Sequence, residues 1–163
     1  MSSLITQLAA ALGKVPSGLA IATSAHNHRR TAFLASWYQQ ISFNPPLVTL
    51  SIKPGRPIEP LIEESGLIGL NLLREGDFAS LKKYGRGFDP DIDPWAEDPS
   101  ILLNTHSTPL FADGFAWLLL KYIKKMDTGG DHQLFIGEVI EGRIQGGEGD
   151  KPYIHIRKDG LGY

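Results

Sequence analysis

The chain has 163 residues with 16 basic and 18 acidic side chains, no cysteine and a net charge of -2. This length can bury a real core and predicts one domain over 1–163, while the near-neutral charge, with no basic block, excludes general attraction to nucleic acid or an anionic membrane. Without cysteine there is no disulfide framework, iron–sulfur cluster or thiolate nucleophile, and with no apolar run of membrane-spanning length a cytoplasmic protein is expected.

Taken in chain order, Ser2 or Ser3 is placed to cap a helix whose apolar residues Leu4, Ile5, Leu8, Ala11 and Leu12 recur at helical spacing, with Gly13 and Pro16 as its stop. An apolar strand is predicted over 18–24, then a polar turn over 26–30 and a partner strand through Phe33, Leu34 and Ala35. Residues 38–42 read as a polar connection, after which Pro45-Pro46 can open a strand over 47–52 but cannot sit in its middle. Lys53-Pro54-Gly55-Arg56 closes that strand as a basic turn.

Residues 57–65 predict a short helix and 66–73 a buried strand, and Asp77 can cap a second short helix over 78–84. The segment 85–100 is rich in Pro, Gly and Asp without a period, so it reads as a covering loop. Residues 115–126 are apolar enough for a helix. The Gly-rich turn that joins them to an evident strand at 132–144 favours a strand instead. The glycines at 146, 147 and 149 predict a hairpin turn into a last strand over 153–156. The sum is a mainly β chain, a small antiparallel β-barrel with flanking short helices.

Several patterns carry no chemistry. His26, His28, His106, His132 and His155 share no ligand spacing, so no metal is expected. Asp89, Asp91 and Asp93 begin like a calcium loop, but Pro94 and Ser100 stand where its glycine and glutamate belong. The late glycines precede no helix, which removes a dinucleotide fingerprint. Ser17, Ser24 and Ser36 lack a nucleophile's context.

Two places keep two readings each. Lys53 and Arg56 are either a solvated turn or the anchor of a phosphate or of a polar ligand edge, helped by free backbone N–H groups and by Ser36, Gln39 and Gln40. His132 is, from its residues, the first of a strand after a turn, the alternative being a role that only resemblance to known proteins implies.

The run LASWYQQISFNPPLVTLSIKPGRPI, followed in order by GLIGLNLL, KKYGRGFDPDIDPW, GDHQLFIGEV and HIRKDGLGY, resembles the flavin reductase-like, FMN-binding split-barrel proteins. It is especially similar to the reductase module of some flavodiiron proteins. The resemblance implies FMN, with FAD as the alternative, lying along Leu34, Ala35, Ser36, Trp37, Gln39 and Gln40 and the turn of Lys53, Pro54, Gly55 and Arg56. Lys83 is a further phosphate candidate, with Lys82 and Arg86 beside it. The nicotinamide of NADH or NADPH would meet Gly130, Asp131 and His132, with His132 positioning it and no protein group moving a proton.

The expected activity is that of an FMN-dependent NAD(P)H:flavin oxidoreductase passing electrons to free flavin, dioxygen or a partner protein such as a monooxygenase. Relatives imply a homodimer. The rival is a non-enzymatic flavin electron carrier or chromoprotein on the same barrel, and a third reading is a barrel binding heme or another planar ligand.

Overall fold

The structure is a computed structural model that describes residues 2–162. Helix α1 spans Ser2–Gly13 and already contains Ser2 and Ser3, so its cap falls outside the described residues. Strands β1 (Ser17–Gly18), β2 (Ala20–His26) and β3 (Arg29–Ala35) follow. The β2–β3 hairpin turns at Asn27 and His28, both at positive φ (47° and 64°), a conformation that suits the right-handed strand twist. Then come β4 (Tyr38–Phe43), β5 (Pro46–Ile52), α2 (Ile58–Ser65) and β6 (Leu67–Leu72). After α3 (Phe78–Tyr84), capped by Asp77 accepting from Ser80 N, and one 3-10 turn at Pro99–Ile101, the chain ends in β7 (Ala116–Asp127), β8 (Gln133–Ile144) and β9 (Ile154–His155).

Seven strands form one antiparallel sheet in the order β3-β2-β6-β7-β8-β5-β4. Its two edge strands, β3 and β4, are consecutive in sequence and joined only by Ser36 and Trp37. A two-residue link can span opposite edges only if the sheet curls until they meet, so the sheet is a barrel split along the β3–β4 seam.

Both faces of the central strands are covered. On β2, Ala20 and Ala22 enter a core with Phe33, Leu50, Ile62 and Phe135, while Ile21, with Leu19 just before the strand, enters a second one with Tyr84, Trp95 and Phe111. Alternate residues therefore serve opposite faces. The first core is closed by α2; the second is what the 85–111 segment covers. Arg30 holds that segment by a paired contact to the Asp93 carboxylate (2.8 and 2.9 Å), which also accepts from Trp95 N. Buried Thr23 donates to the Pro109 carbonyl at 2.6 Å and the Asn71 side-chain Oδ1 accepts from Phe111 N at 2.7 Å, fixing its far end. Among the described residues, no helix is long and apolar enough to cross a membrane.

Two expectations are corrected. Residues 38–42 are not a connection but most of β4, paired with β5 and shifted in register between Gln40 and Ser42. As an edge strand it has five of its six residues in the polar or exposed setting that composition reads as loop. The glycines after β8 do not turn a hairpin. Strand β9 leaves the main sheet and pairs with β1, Ser17 opposite His155, because residue 152 is first bridged to Arg74. By contrast β7 is a strand, lying between β6 and β8, and this double pairing explains why its first half is apolar on both faces.

Candidate functional site

The seam between the edge strands is where the candidate residues gather. A narrow crevice there is lined by Leu34, Ala35, Ser36 and Trp37 from the β3–β4 link, Lys53 and Arg56 from the turn after β5, and His132. Its enclosed part is only about 20 Å³, so a planar group would lie along its mouth. Pairing of Ile52 with Gln133 carries Lys53 beside His132, and the two come from turns distant in sequence.

At its Phe33 end the crevice opens into a cleft of about 240 Å³ lined by Thr31, Lys53, Pro54, Gly55, Arg56 and the covering loop's Arg86, Gly87 and Phe88. The Arg56 guanidinium stacks on Phe33, Cζ 4.9 Å from the ring centroid. Gly87 has φ +74°, and a Cβ there would come within 3.3 Å of Arg56 Nη1, so this glycine lets the loop close down on the arginine. Lys53, Arg56 and Arg86 form no ion pair among the described residues. Three cations without an ion-pair partner among the described residues fit a phosphate at this cleft, and the adjoining crevice of backbone, Trp37 and His132 fits a flat ring.

The expectation of free N–H groups at the turn is corrected. The Glu59 carboxylate, in the first turn of α2, accepts from Gly55 N and from Arg56 N (2.5 and 3.2 Å), as a capping side chain reaching back does. Cationic side chains, not these amides, are what the turn offers.

His132 packs edge-on against Trp37, ring centroids 5.0 Å apart, with its side chain 11% exposed. Its Nδ1 is 2.8 Å from the Asp131 carboxylate. That hydrogen bond, with the nearby His132 and Lys53 charges, holds Asp131 below the usual carboxylate range. Asp131 therefore fixes the imidazole's orientation. Gly130 completes the exposed turn, its N–H donating to the Thr128 hydroxyl.

The remaining candidates are dispersed. Gln39 lines a different cleft on the far side of Trp37. Gln40 is exposed on β4 and its amide donates to the Ser42 carbonyl. Lys83 stands over Tyr84 and lines a cavity with Ser80 and Ile101. Arg86 and Phe88 are the stronger contributors from that region; a Gly-Arg-Gly sequence in a covering loop is the signal for them. Glu59 left none, since its role depends on the helix register. Among the described residues, no group of three His, Cys, Asp or Glu side chains could hold a metal.

Comparison with known proteins fits this geometry. Residues 12–160 match the family described as the flavin reductase like domain. Diflavin flavoprotein A 1 of Synechocystis sp. is 32% identical over 164 residues, covering 100% of this chain but 28% of the relative. Among solved structures, the chain is similar to the NADH:FAD oxidoreductase of Streptomyces globisporus (TM-score 0.78, 20% identity, 90% of this chain and 85% of that one). It is also similar to the styrene monooxygenase flavin reductase of Pseudomonas putida (TM-score 0.72, 21% identity, 90% of each chain). At such identity these neighbours speak for the fold alone, the split barrel expected from sequence.

Proposed function

The chain belongs to the flavin reductase like domain family, and from that premise we propose that it is an FMN-dependent NAD(P)H:flavin oxidoreductase. The observation that carries the reading is the continuity of a cleft ringed by Lys53, Arg56 and Arg86 with the crevice that ends at His132. A monophosphate needs those cations; a ring beside it needs the Leu34 to Trp37 backbone. FAD is the alternative flavin, and the Streptomyces neighbour is named for it.

A bound flavin supplies the redox chemistry, taking a hydride from reduced nicotinamide and passing two electrons to free flavin, dioxygen or a partner protein. The protein's own part is placement. Lys53, Arg56 and Arg86 hold the phosphate, and Phe33 under Arg56 keeps that guanidinium from swinging away. His132, oriented by Asp131, would position the nicotinamide beside the flavin, so the gain would come from proximity and not from proton transfer. The chain spans 28% of its Synechocystis relative, so within a longer protein it would act as a reductase module; alone, it would serve an acceptor such as a monooxygenase.

The test is the absorption spectrum of the purified protein followed by steady-state oxidation of NADH and NADPH with added FMN. A flavin spectrum with nucleotide oxidation is expected. Flavin binding without oxidation would leave a carrier, and a heme-type spectrum would remove both.

A further inference from the structure

Two of the buried hydroxyls on the β2–β3 pair are engaged within the chain. Thr23 donates to the Pro109 carbonyl, and Ser24 donates to the Leu67 carbonyl at 2.9 Å and meets the Ser65 hydroxyl at 3.2 Å. Thr31, directly opposite Ser24 across the pair, is 4% exposed, yet among the described residues its hydroxyl has no hydrogen bond. A hydroxyl taken out of water without a partner is unfavourable, and folded proteins keep few of them.

The hydroxyl is not sealed in. Thr108 Oγ1 is both unpartnered and fully enclosed, whereas Thr31 Oγ1 is unpartnered without being enclosed. The opening that Thr31 lines is the cleft of about 240 Å³ ringed by Lys53, Arg56 and Arg86. Side chains two apart on a strand share a face, so Thr31 stands on the face of Phe33, whose ring carries the Arg56 guanidinium. Two residues along a strand span ~7 Å, a distance that one tetrahedral anion bridges with a hydrogen bond at each end. Glu59 already holds the Gly55 and Arg56 amides, so the turn does not supply this cleft with neutral donors.

We infer that Thr31 contacts the flavin's phosphate, its hydroxyl donating to one phosphate oxygen while Lys53, Arg56 and Arg86 supply the charge. The inference rests on the phosphate reading of this cleft and adds the residue that fixes where in the cleft the phosphate sits. Lysine and arginine reach an anion on long stems and follow it over several positions, whereas a β-branched threonine on a strand has one stiff side-chain torsion. Its hydroxyl therefore sets the phosphate's place, and with it how far the attached ring extends along the crevice toward His132. The unpartnered hydroxyl is a cost the fold carries until a phosphate oxygen accepts from it. NADPH brings a 2′-phosphate of similar chemistry, so the experiment separates the two sources.

Thr31→Val exchanges the hydroxyl for a methyl of nearly the same size, and Thr31→Ser keeps the hydroxyl. Both are compared with wild type by titrating the flavin-free protein with FMN and with riboflavin, by thermal melting of the flavin-free protein, and by KM for NADH and NADPH after FMN loading. Thr31→Val should weaken FMN about tenfold, the scale of one hydrogen bond to a charged group, and riboflavin hardly at all. Thr31→Ser should keep most of the preference for FMN. Because no bond within the chain is lost, flavin-free Thr31→Val should melt no lower than wild type, a result that a structural hydroxyl would not give. FMN affinity unaltered by Thr31→Val, in a wild type that prefers FMN to riboflavin, would overturn the inference and leave the phosphate reading standing. Equal losses for both flavins with a lower melting temperature would overturn it by making the hydroxyl structural. A raised KM for NADPH alone, with FMN affinity unaltered, would overturn it in favour of the nucleotide. A wild type that binds FMN no more tightly than riboflavin ends both the inference and the phosphate reading.

Discussion

Lys53 and Arg56 sit where the crevice and the cationic cleft meet, and the account asks them to read a phosphate. Replacing both with Ala should weaken FMN binding by about 2 to 4 kcal/mol, the loss of two charge-assisted contacts, and weaken riboflavin less. Parallel titrations of the two flavins check this; equal losses would move the phosphate elsewhere. His132→Ala should leave the flavin spectrum intact, because the side chain stands at a turn-to-strand boundary, yet slow reduction by nucleotide on the order of a hundredfold. Dithionite reduction of the variant should match wild type, and stopped-flow bleaching reads the difference. Tyr38 makes a prediction about pH. Burial pushes its phenol from 10.0 up to about 12, its hydroxyl filling the space left by the missing Cβ of Gly18. A raised pKa favours the protonated form in the fold, so its contribution, roughly 3 kcal/mol, is fully present below pH 10 and lost as pH rises toward 12. Denaturant titrations across that window should show the loss in wild type and a smaller one in Tyr38→Phe.

At the scale of elements, much of the chain was legible and the failures share a cause. The α2 and α3 boundaries follow from Pro57, Gly66 and Asp77, local signals that need no tertiary partner. The β2–β3 hairpin and β5 were equally readable. β4 was not, because an edge strand of Tyr, Gln and Ser shows neither alternation nor an apolar run; its pairing is decided by β5. β9 was misplaced for a similar reason, since its partner β1 lies 138 positions away in sequence, Ser17 opposite His155. At the site, residue type marked the turn of Lys53 and Arg56 as one of two readings, while Asp131 and His132 were named only through the family resemblance. Glu59 could not be located, since its carboxylate reaches back to the Gly55 and Arg56 amides only once α2 has formed in this register. One element-level prediction tests how the covering segment is held. A Cβ on Gly69 in β6 would lie 2.2 Å from Thr23 Oγ1 and 2.9 Å from the Pro109 carbonyl. Gly69→Ala should therefore destabilise by about 1 to 3 kcal/mol in chemical denaturation, as overpacking does.

The whole molecule leaves apolar surface uncovered. On α1, Leu4, Ile5 and Leu8 are 71, 59 and 52% exposed, and the tail beside it adds Ile154 and Ile156 at 64 and 56%. We propose that a second copy covers this face, giving a twofold homodimer, and sedimentation of the flavin-loaded protein at micromolar concentration should find one. A monomer there would contradict it. The central claim is that this barrel brings nicotinamide and flavin together, and anaerobic mixing of the FMN-loaded protein with NADH, and separately with NADPH, tests it most directly. The account predicts that at least one nucleotide bleaches the flavin's visible band, with the rate falling sharply in His132→Ala. A wild-type flavin that stays oxidised with both nucleotides, while dithionite still reduces it, would contradict the account.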